Sequence, residues 1–463
     1  MDGTKPTPGV RPIREPTDIT VGDAARPDRS QPNSDRNTNL ERTERLTVVD
    51  FITTALPRAL GFVRRQKSNY RVAITRSAAS SFLMNLSAPY DTIYTAALGA
   101  DSVALGTISS IGSGVGALIS TPAGWLVDRF GIKRFYVLAM VLLAAYTLTY
   151  AVAPSWEWIA VATILFSVST RLVGTGCSVI CADSVQNPNR ATAQNLCVTF
   201  SSAASLIAPL VAAYLITLSG GLKVEGMRPL YYVRFVGSGL LLLFVAARLR
   251  EPDRARPVDS SPDRGFLRGY ERLFAGHRVL RRWIVIAALT SLPMAMTSPF
   301  LYLYAHEVKG ANQYLLGVMT TATVLTRMLF GIPLGRLADR IGRKKVIFLL
   351  TPLWYASNLL LAFSTSSVTL IIAASLQTFY AVSSGITSAM SLELVPLERM
   401  GRWSGTLGLF SGLIAIPAPA IGGLIWQKFG PLYVFLVPLV IDLALRIPLL
   451  TTIPETLEAD PVT

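Results

Sequence analysis

The chain is poor in charge and in cysteine: 15% of its 463 residues are charged against 51% hydrophobic, and three are cysteine. So low a charged fraction excludes an ordinary soluble enzyme of this length, and a positive mean hydropathy points to the membrane class. Cys177, Cys181 and Cys197 are odd in number and fit no disulfide framework or metal-ligand spacing, so small apolar packing is their expected role. No Gly-rich loop ending in Lys-Ser/Thr is present to hold a nucleotide, which removes ATP as the expected energy source. No metal and no cofactor are expected. The first forty residues are polar, charged and rich in Pro, Asp and Arg, and read as a disordered tail, not a cleavable signal.

What is present is a series of twelve apolar stretches, at 72–98, 102–124, 135–153, 156–181, 193–218, 229–249, 283–304, 312–334, 345–364, 367–391, 403–426 and 431–451. Each is near the roughly 20 residues an α-helix needs to cross a hydrocarbon core. Lipid cannot satisfy backbone N–H and C=O groups, and the alternating pattern of a barrel is absent, so the expected class is an all-α integral membrane protein. The net charge of +15 follows the topology: of 43 Lys and Arg, only Lys223, Arg228, Lys309 and Lys428 fall in the loops of one side. That bias predicts both termini in the cytoplasm of a multi-pass cell-membrane protein and makes a nucleic-acid partner unnecessary. Ahead of the first stretch, residues 46–67 place Val49, Thr53, Leu56, Leu60 and Val63 at helical spacing and end in basic residues. They read either as an amphipathic surface helix or, because of Pro57, as a loose juxtamembrane segment.

The sequence also repeats. GWLVDRFGIKR (124–134) returns as GRLADRIGRKK (335–345), Asp339 lying 211 residues after Asp128. Pro89 pairs with Pro299, Tyr94 with Tyr304 and Pro209 with Pro419 at 210, and Gly106 with Gly317 at 211; Asp183 pairs with Glu393 at 210. The predicted organisation is a tail (1–70), a six-helix half (71–250), a basic central loop (251–282), a second six-helix half (283–452) and a short tail (453–463). Six spans per half put both copies of the motif on one side, so the repeat is parallel about an axis along the membrane normal.

With these motifs the chain resembles the major facilitator superfamily from about Arg71 to Thr452. That family's loop signature is met by Gly124, Asp128, Arg129, Gly131, Lys133 and Arg134, with Ile132 in place of the first basic residue, and in full by Gly335, Asp339, Arg340, Gly342, Arg343, Lys344 and Lys345. The resemblance implies two rocking six-helix bundles and a cytoplasmic gate in which these loops take part. The glycines permit the close turn, and each Asp can cap a neighbouring helix or pair with an arginine of the facing half. The alternative is a tight basic turn that only fixes topology.

Ionisable residues inside spans are functional candidates by default. Arg171 and Arg327 each lie twelve residues before a loop acid, roughly 18 Å from the helix end and near the midplane. RLVGTG (171–176) is similar to the helix 4 pattern of proton-coupled exporters in the family, with Gly174 where that pattern has Gln. Asp91 is within reach of Arg171 and is expected either to couple transport to protons or to form a static pair. Arg327 either holds an anionic substrate group or bonds helix carbonyls. Asp442 and Arg446, at i,i+4, are expected to neutralise one another. The stretches 204–213 and 413–423, bent at Pro209 and Pro419, resemble the family's antiporter signature with alanine at several glycine positions. Asn85, Tyr90, Tyr94, Tyr302, Tyr304, Gln377 and Tyr380 are candidates for the cavity wall, which is expected to be mostly apolar and suited to an amphiphilic solute. These readings lead to a monomeric secondary transporter of a small organic solute, working by alternating access with proton-coupled export. An importer or facilitator of sugars or organic acids, or a non-transporting sensor or scaffold working through the tail, remain alternatives.

Overall fold

The computed structural model describes residues 56–185, 190–251, 278–395, 400–453 and 455, with the backbone alone described for several helical turns, among them 120–130 and 175–179. Residues 1–55, most of the expected central loop and most of the C-terminal tail lie outside the described residues. A short helix, α1 (Leu56–Arg65), comes first; Pro57 sits in its first turn, where the missing N–H has no helical partner to lose. Phe62 and Val63 pack on a small cluster of Tyr70, Ile74, Val185, Ala193 and Cys197. The packing role expected of cysteine is therefore seen at Cys197, whereas the side chains of Cys177 and Cys181 lie outside the described residues.

Twelve passes follow among the described residues. The first is broken into α2 (Ser68–Ser87) and α3 (Asp91–Ala97); α4 (Ser102–Phe130), α5 (Ile132–Val152) and α6 (Trp156–Ser184) are continuous; the fifth is broken into α7 (Arg190–Ser205) and α8 (Ala208–Leu218); α9 (Val224–Arg248) ends the first set. The second set repeats the plan. α10 (Arg278–Thr297) and α11 (Leu301–Glu307) form its broken first pass, then α12 (Gln313–Ile341), α13 (Arg343–Phe363) and α14 (Ser367–Glu393), then the broken pair α15 (Met400–Ala415) and α16 (Ala418–Phe429). The last pass is α17 (Tyr433–Ile441), a π-helical turn (Asp442–Arg446) and α18 (Ile447–Thr451).

Among the described residues, eleven spans are long and apolar enough to cross a membrane, and the expected first span is not one of them. α2 carries Arg71, Arg76 and five serines, which lower its hydropathy; it folds nonetheless because it packs along α7 and α9. The breaks have a common cause. Pro89, Pro209, Pro299 and Pro419 each remove a donor and crowd the preceding turn, so the helix restarts beside each of them. The restarts keep the repeat: Asp91 and Leu301, and Ala208 and Ala418, are each 210 apart.

The buried apolar side chains are distributed unevenly. At the end carrying the short loops near Gly99, Gly220, Gly310 and Gly430, one cluster runs through both sets, from Tyr94, Ile159 and Ile216 to Leu303, Tyr304 and Phe435. Toward the end carrying the two loop motifs, each set has its own cluster, one around Val72, Phe135 and Val245 and the other around Trp283, Ile347 and Met390. These two ends are called below the short-loop end and the motif end. Outward faces are apolar: Leu240 and Leu243 on α9 and Val440 and Leu443 on the last pass are all more than half exposed. Such faces are stable against lipid, not water.

Candidate functional site

The two sets meet in a crosswise seam. On α4, Ser102, Gly106 and Ser110 form an i, i+4, i+8 row facing α16. Ser102 Oγ donates to the Gly423 carbonyl at 3.2 Å, a Cβ on Gly106 would collide with the Pro419 carbonyl, and Ser110 Oγ accepts from the Ala420 N–H at 3.1 Å. On α12, the row Gln313, Gly317 and Thr321, each 211 residues further on, faces the fifth pass. Gln313 Nε2 donates to Thr217 Oγ1 at 2.9 Å, a Cβ on Gly317 would stand 2.8 Å from the Pro209 carbonyl oxygen, and Thr321 Oγ1 donates to the Leu206 carbonyl at 3.1 Å. The residues that mark the repeat in sequence therefore touch each other across it, glycine of one set against proline of the other. Ser110 and Thr321 also satisfy backbone groups that the helix breaks leave without an intrahelical partner. Tyr90 closes the seam from the first set: its hydroxyl donates to the Gln313 carbonyl at 2.9 Å and lies 3.4 Å from the Pro209 carbonyl. These hydrogen bonds between the sets lie together in this seam, toward the short-loop end.

Beneath the seam lies a cavity of about 430 Å³ between the sets. Its wall on the first set is polar: Ser77, Ser81, Asn85, Ser201, Ser202 and Ser205 line it. Tyr302, Thr320, Thr323 and Arg327 face them from the second set. Asn85 is held in place by Nδ2 donating to Ser81 O at 2.9 Å and to Ser205 Oγ at 3.2 Å, and Thr320 Oγ1 hydrogen-bonds Tyr302 Oη at 3.0 Å. The mostly apolar wall expected from sequence is thus replaced by a hydroxyl-rich one, because the serines of α2 and α7 share one helical face. Arg327 also borders a second cavity, of about 600 Å³, that follows Gly331, Gly335 and Gly385 to Asp339 and Arg343 at the motif end. Tyr380 lines a third cavity, of about 440 Å³ and confined to the second set, and donates to the Thr290 carbonyl at 2.8 Å.

Other expected wall residues sit elsewhere. Tyr94 is fully buried within the first set, donating to the Tyr150 carbonyl at 3.0 Å and tilted against Tyr231. Gln377 accepts from Ser357 Oγ at 2.8 Å and so faces α13 inside the second set. Tyr304 packs on Trp426 and Phe435. Helical spacing identifies neighbours along a face but not which face turns to the cavity, and here bundle packing takes these three.

Each set also buries an Asp–Arg–Tyr cluster. Asp91 meets Arg234 of α9, at 3.7 Å, and not Arg171; Tyr231 Oη donates to Asp91 Oδ1 at 3.0 Å, and Arg234 also bonds Ser87 Oγ and lies over the Tyr146 ring. Arg171 stands instead against Gly116, where a Cβ would be 3.2 Å from its Nε. Asp442 and Arg446 pair as their spacing predicts, inside the π-helical turn, with Tyr355 Oη donating to Asp442 Oδ2 at 2.8 Å and Tyr380 under the guanidinium. Arg234 was not singled out in the sequence, although an arginine well inside the apolar run 229–249 was its visible signal. Burial of such a pair is tolerated because the remaining donors and acceptors are mostly bonded; removing one partner typically costs about 3–5 kcal/mol.

The loop motifs are tied down by carboxylates that follow the sixth pass of the same set. Gly131 and Gly342 have φ of +83° and +109°, and a Cβ on either would press into Glu251 or Glu455. Glu251 accepts from the Lys133 N–H at 2.9 Å, and Glu455 accepts from the Arg343 and Lys344 N–H groups, both at 3.1 Å. These glutamates thus cap the starts of α5 and α13. Asp339 instead lies 3.4 Å from Arg343 of its own set, and Arg343 pairs at 2.7 Å with Glu393. Lys344 Nζ donates to the Thr451 and Ile453 carbonyls, while Arg134 and Arg340 are exposed. The side chains of Gly124, Asp128 and Arg129 lie outside the described residues.

Comparison with known proteins bears on this arrangement. The family described as Major Facilitator Superfamily matches residues 72–324 and 284–461. The inner membrane transport protein YajR of Escherichia coli is 29% identical over 145 residues, 31% of this chain and 32% of that protein. The class B tetracycline resistance protein of E. coli is 27% identical over 144 residues, 30% of this chain and 35% of that protein. The matched region is therefore about a third of the length of each of these relatives. Among solved structures, the nucleoside transporter NupG superposes with a TM-score of 0.68 at 14% identity, covering 83% of this chain and 99% of that one. A D-xylose-proton symporter superposes at 0.62 and 14%, covering 85% and 98%.

Proposed function

The chain belongs to the major facilitator superfamily, and from that premise we propose that it is a secondary transporter moving a small organic solute by alternating access, with export driven by protons. The observation that carries this reading is the pairing of a seam at one end with a polar cavity directly beneath it. Five hydrogen bonds join the sets at the short-loop end, and the apolar core splits in two toward the motif end. Such an arrangement is one of the two states that a rocking pair of bundles needs. With the motif end in the cytoplasm, as the distribution of Lys and Arg predicts, this is the state that loads solute from inside. The likeness to a tetracycline resistance protein supports export. Proton coupling is assigned to Asp91, whose side chain is a quarter exposed while its partner Arg234 is buried, so protonation and ion pairing compete at one carboxylate.

The test uses the purified chain in proteoliposomes under an imposed pH gradient, with a screen of organic solutes. Solute is expected to accumulate in the acidic compartment. Equilibration that ignores the gradient would establish a facilitator instead, and a chain that moves nothing while residues 1–55 bind a partner would establish a scaffold. In Asp91→Asn, gradient-driven accumulation is expected to vanish while counterflow exchange persists; an unchanged pH dependence refutes the assignment. A second reading, uptake of a polar solute, is favoured by the hydroxyl-rich wall, and the direction of accumulation decides between the two.

A further inference from the structure

We infer that the solute carries one anionic group, a carboxylate on a small hydroxylated molecule, and that Arg327 binds it. This inference rests on the transport reading and adds the substrate class. Among the described residues that line the inter-set cavity, Arg327 is the one fixed charge, and none is Asp or Glu. Arg327 is exposed, and among the described residues no carboxylate lies within ion-pair distance of it and no carbonyl accepts from it. Two other arginines deep in the spans contrast with it, since Arg234 and Arg446 are both buried and each is matched by an aspartate.

An unneutralised guanidinium facing a cavity within a bundle is an anion site in waiting, with planar paired donors that match a carboxylate. One guanidinium balances one charge, which favours a monocarboxylate over a phosphate ester. Across the cavity, Asn85, Ser81, Ser202 and Ser205 offer hydrogen-bonding groups to hydroxyls on the same solute, and about 430 Å³ accommodates a molecule of sugar-acid size. Arg327 also borders the cavity that reaches Asp339 and Arg343, which gives the anion a path to it from the motif end. A lipophilic cation, which needs an acidic group or a cage of several aromatic rings, meets no carboxylate and a single tyrosine among the described lining residues.

Two measurements on the full chain in proteoliposomes test this. In the first, Cys177, Cys181 and Cys197 are replaced by serine, Thr323→Cys is introduced, and its labelling is timed with a sulfonate and with a trimethylammonium methanethiosulfonate, each normalised to a free thiol. The sulfonate is expected to be favoured about tenfold, a preference lost in Arg327→Gln and kept in Arg327→Lys. A preference that is absent or unaffected by Arg327→Gln overturns the inference. In the second, counterflow of D-gluconate is compared with D-glucose, glucose 6-phosphate and choline. Gluconate exchange that falls at least about tenfold in Arg327→Gln and recovers partly in Arg327→Lys supports it. Transport of glucose or choline without gluconate overturns the substrate class and leaves the transport reading standing; movement of glucose 6-phosphate in preference to gluconate overturns the monocarboxylate assignment. No solute flux in any chain, with the sulfonate preference also missing, brings down both.

Discussion

Gly317→Ala is expected to force the short-loop end open. The added Cβ would stand 2.8 Å from the Pro209 carbonyl oxygen, 3.3 Å from its carbon and 3.5 Å from Tyr90 Oη. Even a favourable C–H···O contact has its carbon about 3.3–3.6 Å from oxygen, so the overlap is roughly half an ångström or more. The Pro209 carbonyl cannot yield by turning a side chain, because it is backbone at a proline. Overpacking of this kind costs about 1–3 kcal/mol. The cost falls only on the state in which α12 lies against the fifth pass, so it appears as a shift of about 5- to 150-fold in the ratio of the two states. The measurement is the labelling rate of Thr323→Cys, in a chain without native cysteines, by an impermeant reagent applied at the short-loop side. Gly106→Ala, its counterpart against Pro419, is expected to act in the same direction, and the two together to add. Gly331→Ala lies on the same helix with nothing within 4 Å and serves as the control. Labelling that is unchanged in Gly317→Ala, or raised equally in Gly331→Ala, refutes the seam as the closing contact.

Two further predictions concern the buried charges and the loops. Arg234→Gln leaves Asp91 without its cation and should lower stability by about 3–5 kcal/mol, whereas the double change Asp91→Asn, Arg234→Gln should recover most of that; thermal unfolding in detergent reads the difference, and additive losses would refute a direct pair. Glu455→Ala removes the cap at the start of α13 and is expected to cost about 0.5–2 kcal/mol, with Glu251→Ala similar at α5, also by thermal unfolding; no change in either would mean that solvent satisfies those N–H groups equally well.

Much of the fold was legible because lipid makes demands that a one-dimensional pattern records. Long apolar runs mark the passes, a single offset marks the two sets, and prolines at 89, 209, 299 and 419 mark the breaks. The first pass was legible as the stretch 72–98 although Arg71, Arg76 and its serines depress its hydropathy. Helix rotation was less accessible. Tyr94 and Gln377 share their composition with true wall residues such as Asn85 and Tyr302, and only contacts with neighbouring passes decide between them. Pairings between distant passes were least accessible: nothing in local spacing links Asp91 to Arg234, or Glu455 to a loop more than a hundred residues earlier. Arg327 was visible as a charge in a span, but its want of an acidic neighbour is a property of the assembled cavity.

The crosswise contact of Gly106 with Pro419 and of Gly317 with Pro209 has the form of an isologous interface, in which the same patch on two copies meets itself. A single six-helix ancestor bearing that glycine and that proline could have sealed against a second copy of itself, each improvement counting at both places. Fusion of two such copies would then have freed the halves to diverge where symmetry had no use. The cavity shows that outcome, with serines and an asparagine contributed by one side and an arginine by the other.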